Sequence, residues 1–212
     1  MVHPISPLAY LLKAYLHQRI TTTVYEATQH NWHQIPTAAT KASRVQPRPS
    51  ALTHKPIRTV FQKTFQTISE LAACIGQEVA VSDWITITQQ QVNLFAEATG
   101  DHQWIHVDPE KAAAGPFGGP IAHGFLTLSL IPRFFESSFA ITGSRMGVNY
   151  GLNKVRFTSP VPVGSRLRAR MKLLASEPID NGGVQMTWEV IIEREGSSKP
   201  VCVAESLVRR YP

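Results

Sequence analysis

Two aspartates, three histidines and four glycines fall together between Asp101 and Gly124, in the run D-H-Q-W-I-H-V-D-P-E-K-A-A-A-G-P-F-G-G-P-I-A-H-G. Asp101, Asp108, His102, His106 and His123 bring carboxylates and imidazoles into one short stretch, the groups that take up and give back protons near neutral pH. No other histidine occurs after residue 69, and the apolar run Phe125 to Ile131 follows at once. Titratable groups mixed with Gly and Pro make a poor core. They suit a site at a helix N-terminus, where free backbone N–H groups favour developing negative charge.

Each residue also has a plainer reading. Asp101 after Gly100 is a common turn-capping pair, and His106 taken alone is an ordinary loop histidine. Gly124 allows a helix to pack tightly on a sheet. His123 serves equally well as a hydrogen-bonder that holds the loop, Asp108 as the N-cap of a short Pro109–Ala114 helix, and Ser129 as core. His102, His106 and His123 have metal-like spacing, but the first pair needs a helix. Trp104-Ile105, with Pro109 following, predicts a loop, so no metal is expected.

The surrounding chain must position this stretch. Ile68 to Ile75 reads as a short helix ended by Gly76, and Val79 to Thr88 as a strand with an irregular middle. Thr88-Gln89-Gln90-Gln91 has the form of a capping box. It opens a helix that Gly100 ends, delivering Asp101 to the loop just beyond. Phe125 to Phe135 is apolar almost all round, which predicts a buried helix that Pro132 kinks or stops. Four strand-like runs follow, Val148–Thr158, Arg166–Leu174, Val184–Arg194 and Val201–Arg209, separated by turn-forming residues. Helices followed by a strand meander predict an α+β fold, a sheet wrapped on a central helix. Arg166, Arg168, Arg170 and Lys172 alternate along one strand face. They form a solvated face paired with Glu189 and Glu193, or a dock for phosphates.

The chain has 212 residues and a net charge of +6. Residues 1–69 hold eight Lys and Arg against Glu26 alone, which is +7 and leaves −1 for the rest. The near-neutral remainder argues against nucleic acid, and no apolar run reaches membrane-spanning length. Cys74 and Cys202 are too far apart for a metal knuckle. Residues 1–65 read as a basic, poorly ordered extension, with one amphipathic stretch at Leu8–Ile20. An Arg-bearing, acid-poor leader of this kind also suits an organelle transit peptide. The expectation is a cytoplasmic protein, or a mitochondrial one if the leader is such a peptide.

Asp101 and His106 with V-D-P after them, G-P-I-A-H-G (Gly119 to Gly124) before an apolar run, and V-R-F-x-x-P-V (Val155 to Val161) resemble the MaoC-like (R)-specific enoyl-CoA hydratases and dehydratases. The resemblance covers about residues 66–212 and is nearest to the NodN-like branch. It implies a hot-dog fold, in which an antiparallel sheet wraps a long central helix. It further implies reversible hydration of trans-2-enoyl thioesters to (3R)-3-hydroxyacyl thioesters. Asp101 would be the general base, His106 would orient the water and share the proton, and the Gly124 N–H would stabilise the enolate-like oxygen. Gln103, His123 and Gly119 are the expected substrate-binding residues. Many hydratases have Asn-Pro where this chain has Gln103-Trp104.

No cofactor is implied beyond the CoA or acyl-carrier protein that carries the acyl group. The implied partner is a second copy, in a homodimer whose edge strands pair; Val148–Leu152 is the candidate edge, since Gly151 weakens it as an interior strand. Two other readings remain. A hot-dog thioesterase usually carries its carboxylate on the central helix, and Phe125 to Ile131 contains none. A non-catalytic acyl-thioester-binding module would use the basic first third on a membrane or nucleic acid.

Overall fold

The computed structural model describes residues 63–212. The leader expected over residues 1–65, with its Leu8–Ile20 stretch, lies outside them except for its last three residues. Those form β1 (Lys63–Phe65), which runs parallel to β4 (Phe139–Ile141). Phe65 is buried edge-on against Phe139, so residue 65 is already part of the packed body.

Helix α1 (Ile68–Ala72) is capped by Thr67, whose hydroxyl accepts the Glu70 N–H. The expected strand over 79–88 is interrupted. Its pieces, β2 (Glu78–Val81) and β3 (Ile85–Thr86), pair with the same neighbour. Between them the buried Ser82 hydroxyl accepts the Ala169 N–H, which satisfies a donor that the irregular backbone leaves over.

Four long strands make the body of the sheet. They are β5 (Met146–Phe157), β6 (Arg166–Pro178), β7 (Val184–Arg194) and β8 (Cys202–Tyr211). The sheet has six strands in the order β2-β6-β7-β8-β5, with β3 also on β6, and every pairing in it is antiparallel. Alternation sends Leu167, Ala169, Met171 and Leu173 of β6, and Met186, Trp188, Val190 and Ile192 of β7, to the same buried face. On the other face each arginine of β6 has a carboxylate. Arg166 meets Glu195 at 2.8 Å, Arg168 meets Glu193 at 2.8 Å, and Arg170 meets Glu78 at 2.7 Å. Arg168 also lies 4.6 Å over the Trp84 ring. The pairing partners therefore include Glu78 and Glu195, and the guanidiniums are committed to the sheet.

The helix on the buried face is two pieces, α5 (Gly124–Ser129) and α6 (Ile131–Ser138). To keep those labels in chain order, the elements before them are α2 (Gln89–Thr99), α3 (Trp104–Val107) and α4 (Pro109–Ala113). Pro132 sits in the first turn of α6 and has no N–H to continue the ladder, so the break falls at Leu130. Leu126, Ile131, Phe134 and Phe135 turn to the sheet, where Phe135 meets Trp188 edge-on at 5.0 Å. The expectation of burial all round fails. Phe125 is 69% exposed, and Ser129, Pro132, Arg133 and Glu136 are exposed as well. Ser129 is thus not core; its hydroxyl donates to the Leu126 carbonyl and it faces an apolar groove. One sheet has only enough area to cover one side of a helix.

Candidate active site

Asp101 is placed by the end of α2. That helix opens on a capping box at Thr88 and Gln91 and closes at Gly100, in the left-handed conformation at φ 78°. Glycine takes that conformation without strain, and the chain turns sharply after it. Asp101 follows with its side chain 54% exposed.

His106 comes from α3, a single helical turn where a loop was expected. Pro109 does not oppose it, because Pro109 opens the separate helix α4, whose N-cap Asp108 accepts the Lys111 N–H. His102 precedes the turn, half exposed near Glu97, so it does not join His106. His123 is the last residue before α5.

The two buried histidines clasp each other's loops. His106 Nδ1 lies 2.7 Å from the Ile121 carbonyl, and His123 Nε2 lies 2.9 Å from the Asp101 carbonyl. A carbonyl only accepts, so each of these nitrogens carries a hydrogen, and His106 Nε2 is left with a bare lone pair. The rings stack at 3.8 Å and 28°. Desolvation holds the His106 imidazole below its ordinary pKa of 6.5; the Ile121 bond opposes this, His123 adds to it, and Asp101 opposes it. His106 is therefore neutral at physiological pH, with an acceptor available to a water.

Ligating atoms of Asp101, His106 and His123 lie within 4.8 Å of one another. A carboxylate and two imidazoles are acceptable donors for a divalent ion. However, one nitrogen of each ring is already committed to a backbone carbonyl, His106 Nδ1 to Ile121 and His123 Nε2 to Asp101. The set fits a hydrogen-bonded water better.

His106, Gly124 and Thr127 line a cleft of about 340 Å³ with Phe117, Phe157 and Val161. The Gly124 N–H belongs to the first turn of α5, where N–H groups have no partner within the helix. A side-chain carbon at Gly124 would sit 2.8 Å from the Phe157 ring, so glycine is required for that ring to pack where it does. A second groove, about 640 Å³ and more apolar, lies along Phe95, Phe125, Leu128, Ile131 and Leu152. It is the larger space, but His106 lines the smaller cleft, and Asp101 lines neither.

Residues 70–194 match the family described as MaoC like domain. The chain belongs to this family. The 3-hydroxyacyl-thioester dehydratase Z of Mycobacterium tuberculosis strain H37Rv is 60% identical over 147 residues, covering 69% of this chain and 97% of that protein. Nodulation protein N of Rhizobium leguminosarum bv. viciae is 46% identical over 140 residues, covering 65% of this chain and 87% of the relative. Among solved structures, the R-hydratase PhaJ1 from Pseudomonas aeruginosa aligns at a TM-score of 0.50 and 28% identity, over 63% of this chain and 79% of that one. The MaoC-like domain accordingly has the hot-dog architecture, its antiparallel sheet carrying the α5–α6 helix.

Within the MaoC-like domain, Asp101, His106, His123 and Gly124 come together. Gln103 and Gly119 do not. Gln103 is exposed, precedes α3, and makes no side-chain hydrogen bond among the described residues. Gly119 does not line the His106 cleft, and a side chain there would find open space. Sequence reasoning missed Gln89, whose amide donates to the His106 carbonyl at 2.7 Å and steadies α3. It also missed Phe95, 5.0 Å from the His123 ring. Phe157 stood inside a quoted motif, but nothing in its type or spacing marked it as part of the site.

Proposed function

We propose that this MaoC-like protein is a hydro-lyase acting on acyl thioesters, hydrating a trans-2-enoyl thioester to the (3R)-3-hydroxyacyl thioester and catalysing the reverse dehydration. The observation that carries this is the Asp101–His106 pair, one partly exposed carboxylate beside a buried imidazole whose free nitrogen is an acceptor. The relatives' names, a 3-hydroxyacyl-thioester dehydratase and an R-hydratase, support the same reading.

A water held between Asp101 and His106 Nε2 adds its oxygen to C3 of the enoyl chain. The pair removes one of its protons as the C3–O bond forms. Electron density moves through C2 onto the thioester oxygen, where the Gly124 N–H stabilises it. The electrons return as C2 takes a proton from the pair. His123 holds Asp101 through its backbone and supports His106 by stacking. The chemistry consumes no cofactor, and the thioester is carried by CoA or by an acyl-carrier protein.

The partner in this reading is a second copy. Strand β5 pairs only with β8 among the described residues, and its free edge shows Met146, Val148, Tyr150 and Leu152, each at least 40% exposed. An apolar edge of this kind needs a cover.

Crotonyl-CoA tests the reaction. Loss of the enoyl-thioester absorbance without release of thiol is expected, and thiol release would point to a thioesterase. Asp101→Asn and His106→Ala should each lower turnover ~10²–10⁴-fold with the fold intact. Either variant keeping more than about a tenth of the activity overturns that residue's role.

A further inference from the structure

Resting on the hydratase reading, we infer that Phe157, backed by Phe125, sets the length of acyl chain the site accepts. The Phe157 ring occupies the space that a side chain on residue 124 would fill, with Cδ2 2.8 Å from that position. It therefore borders the N–H assigned to the thioester oxygen, and an acyl chain leaving that thioester passes the ring.

Phe125 meets Phe157 edge-on, ring centroids 5.7 Å apart. Phe157 lines the cleft of about 340 Å³ that holds His106, whereas Phe125 lines the apolar groove of about 640 Å³. The contact between the two rings is thus a shared wall between the two spaces. Their outer sides are open, at 45% exposure for Phe157 and 69% for Phe125, so the wall is held mainly by the rings themselves and not by the core. A short acyl chain fits beside His106 with the rings in contact. A longer one must part them to reach Phe95, Leu128 and Ile131 beyond.

The test compares kcat/KM for crotonyl-CoA and trans-2-octenoyl-CoA in the wild type, Phe157→Ala and Phe125→Ala. Removing either ring should raise the octenoyl-to-crotonyl ratio about tenfold, the discrimination that a small change in a hydrophobic pocket typically supplies. A ring that merely supports the fold would lower both substrates together. If Phe157→Ala fails to fold, Phe125→Ala decides alone, since its exposed ring carries little of the core. An unchanged ratio in an enzyme that still hydrates crotonyl-CoA overturns the wall and leaves the hydratase reading standing. A wild type inactive on both substrates removes both readings.

Discussion

Replacing Gly124 with alanine separates two reasons for a glycine at that position. The added carbon would lie 2.8 Å from Phe157 Cδ2 and 3.0 Å from Cε2 and Cγ. Ordinary contact needs roughly 3.5 Å or more between carbons, so the ring must retreat by somewhat over half an ångström. It can do so, because Phe157 is 45% exposed and ends an edge strand. The retreat weakens its edge-on contact with Phe125, worth about 0.5–1.5 kcal/mol, while alanine gains up to about 1 kcal/mol of helix propensity over glycine. These offset each other, and the melting temperature of Gly124→Ala should stay within roughly 4 °C of wild type. Activity should behave differently. A methyl group beside the N–H keeps the thioester oxygen away, and losing one such donor costs about 10²–10³-fold in kcat. The assay is the fall in enoyl-thioester absorbance with crotonyl-CoA, read together with thermal melts. A Gly124→Ala protein with more than about a tenth of wild-type turnover would refute close approach of substrate to this N–H. The double variant Gly124→Ala/Phe157→Ala adds a second check. Rescue by the double variant would show that the glycine serves only the packing of Phe157.

Two other outcomes follow from the same geometry. Burial keeps His106 neutral, so its pKa in the folded protein lies below that of the unfolded chain. The unfolded chain then takes up this proton first as pH falls below 6.5, and stability present above that value is lost on acidification. Urea melts at pH 7.5 and 5.5 should show a smaller loss for His106→Gln than for wild type, and equal losses would contradict the assignment. Leu152→Lys, on the free edge of β5, should shift a wild-type dimer toward monomer in sedimentation at micromolar concentration; a fully active wild-type monomer would end the dimer reading.

Much of the frame was legible because it rests on local rules. The capping box at Thr88 and Gln91, the stop at Gly100 and the turn residues between the long strands each act within a few positions. The helix breaks that bring Asp101 and His123 to one place are of this kind. What the sequence hid depends on partners distant in the chain. The α3 turn is steadied by Gln89 and by the Ile121 N–H on the Ile105 carbonyl, neither of which can be read from W-I-H-V. Ser129 and Phe125 are apolar-helix residues by pattern, yet they face outward because one sheet covers one side. Gln103 and Gly119 drew their expected roles from motif position alone; Gln103 is exposed before α3, and Gly119 lies outside the lining of the His106 cleft.

The two histidines show how a site on short, irregular elements is kept rigid. His106, on the first segment (Asp101 through α3), holds the second through the Ile121 carbonyl; His123, on the second, holds the first through the Asp101 carbonyl. Neither segment can move without breaking a bond made by the other, and both bonds are shielded, since both rings are buried. The same bonds choose the tautomers. A protonated imidazole keeps the hydrogen it gives to its carbonyl, so acid does not open the clasp. What acid removes is the lone pair on His106 Nε2, the group that the proposed reaction sets against water. In the proposed reaction, structure and reactivity thus draw on opposite nitrogens of one ring, and burial of His106 keeps the Nε2 lone pair free by making its protonation costly.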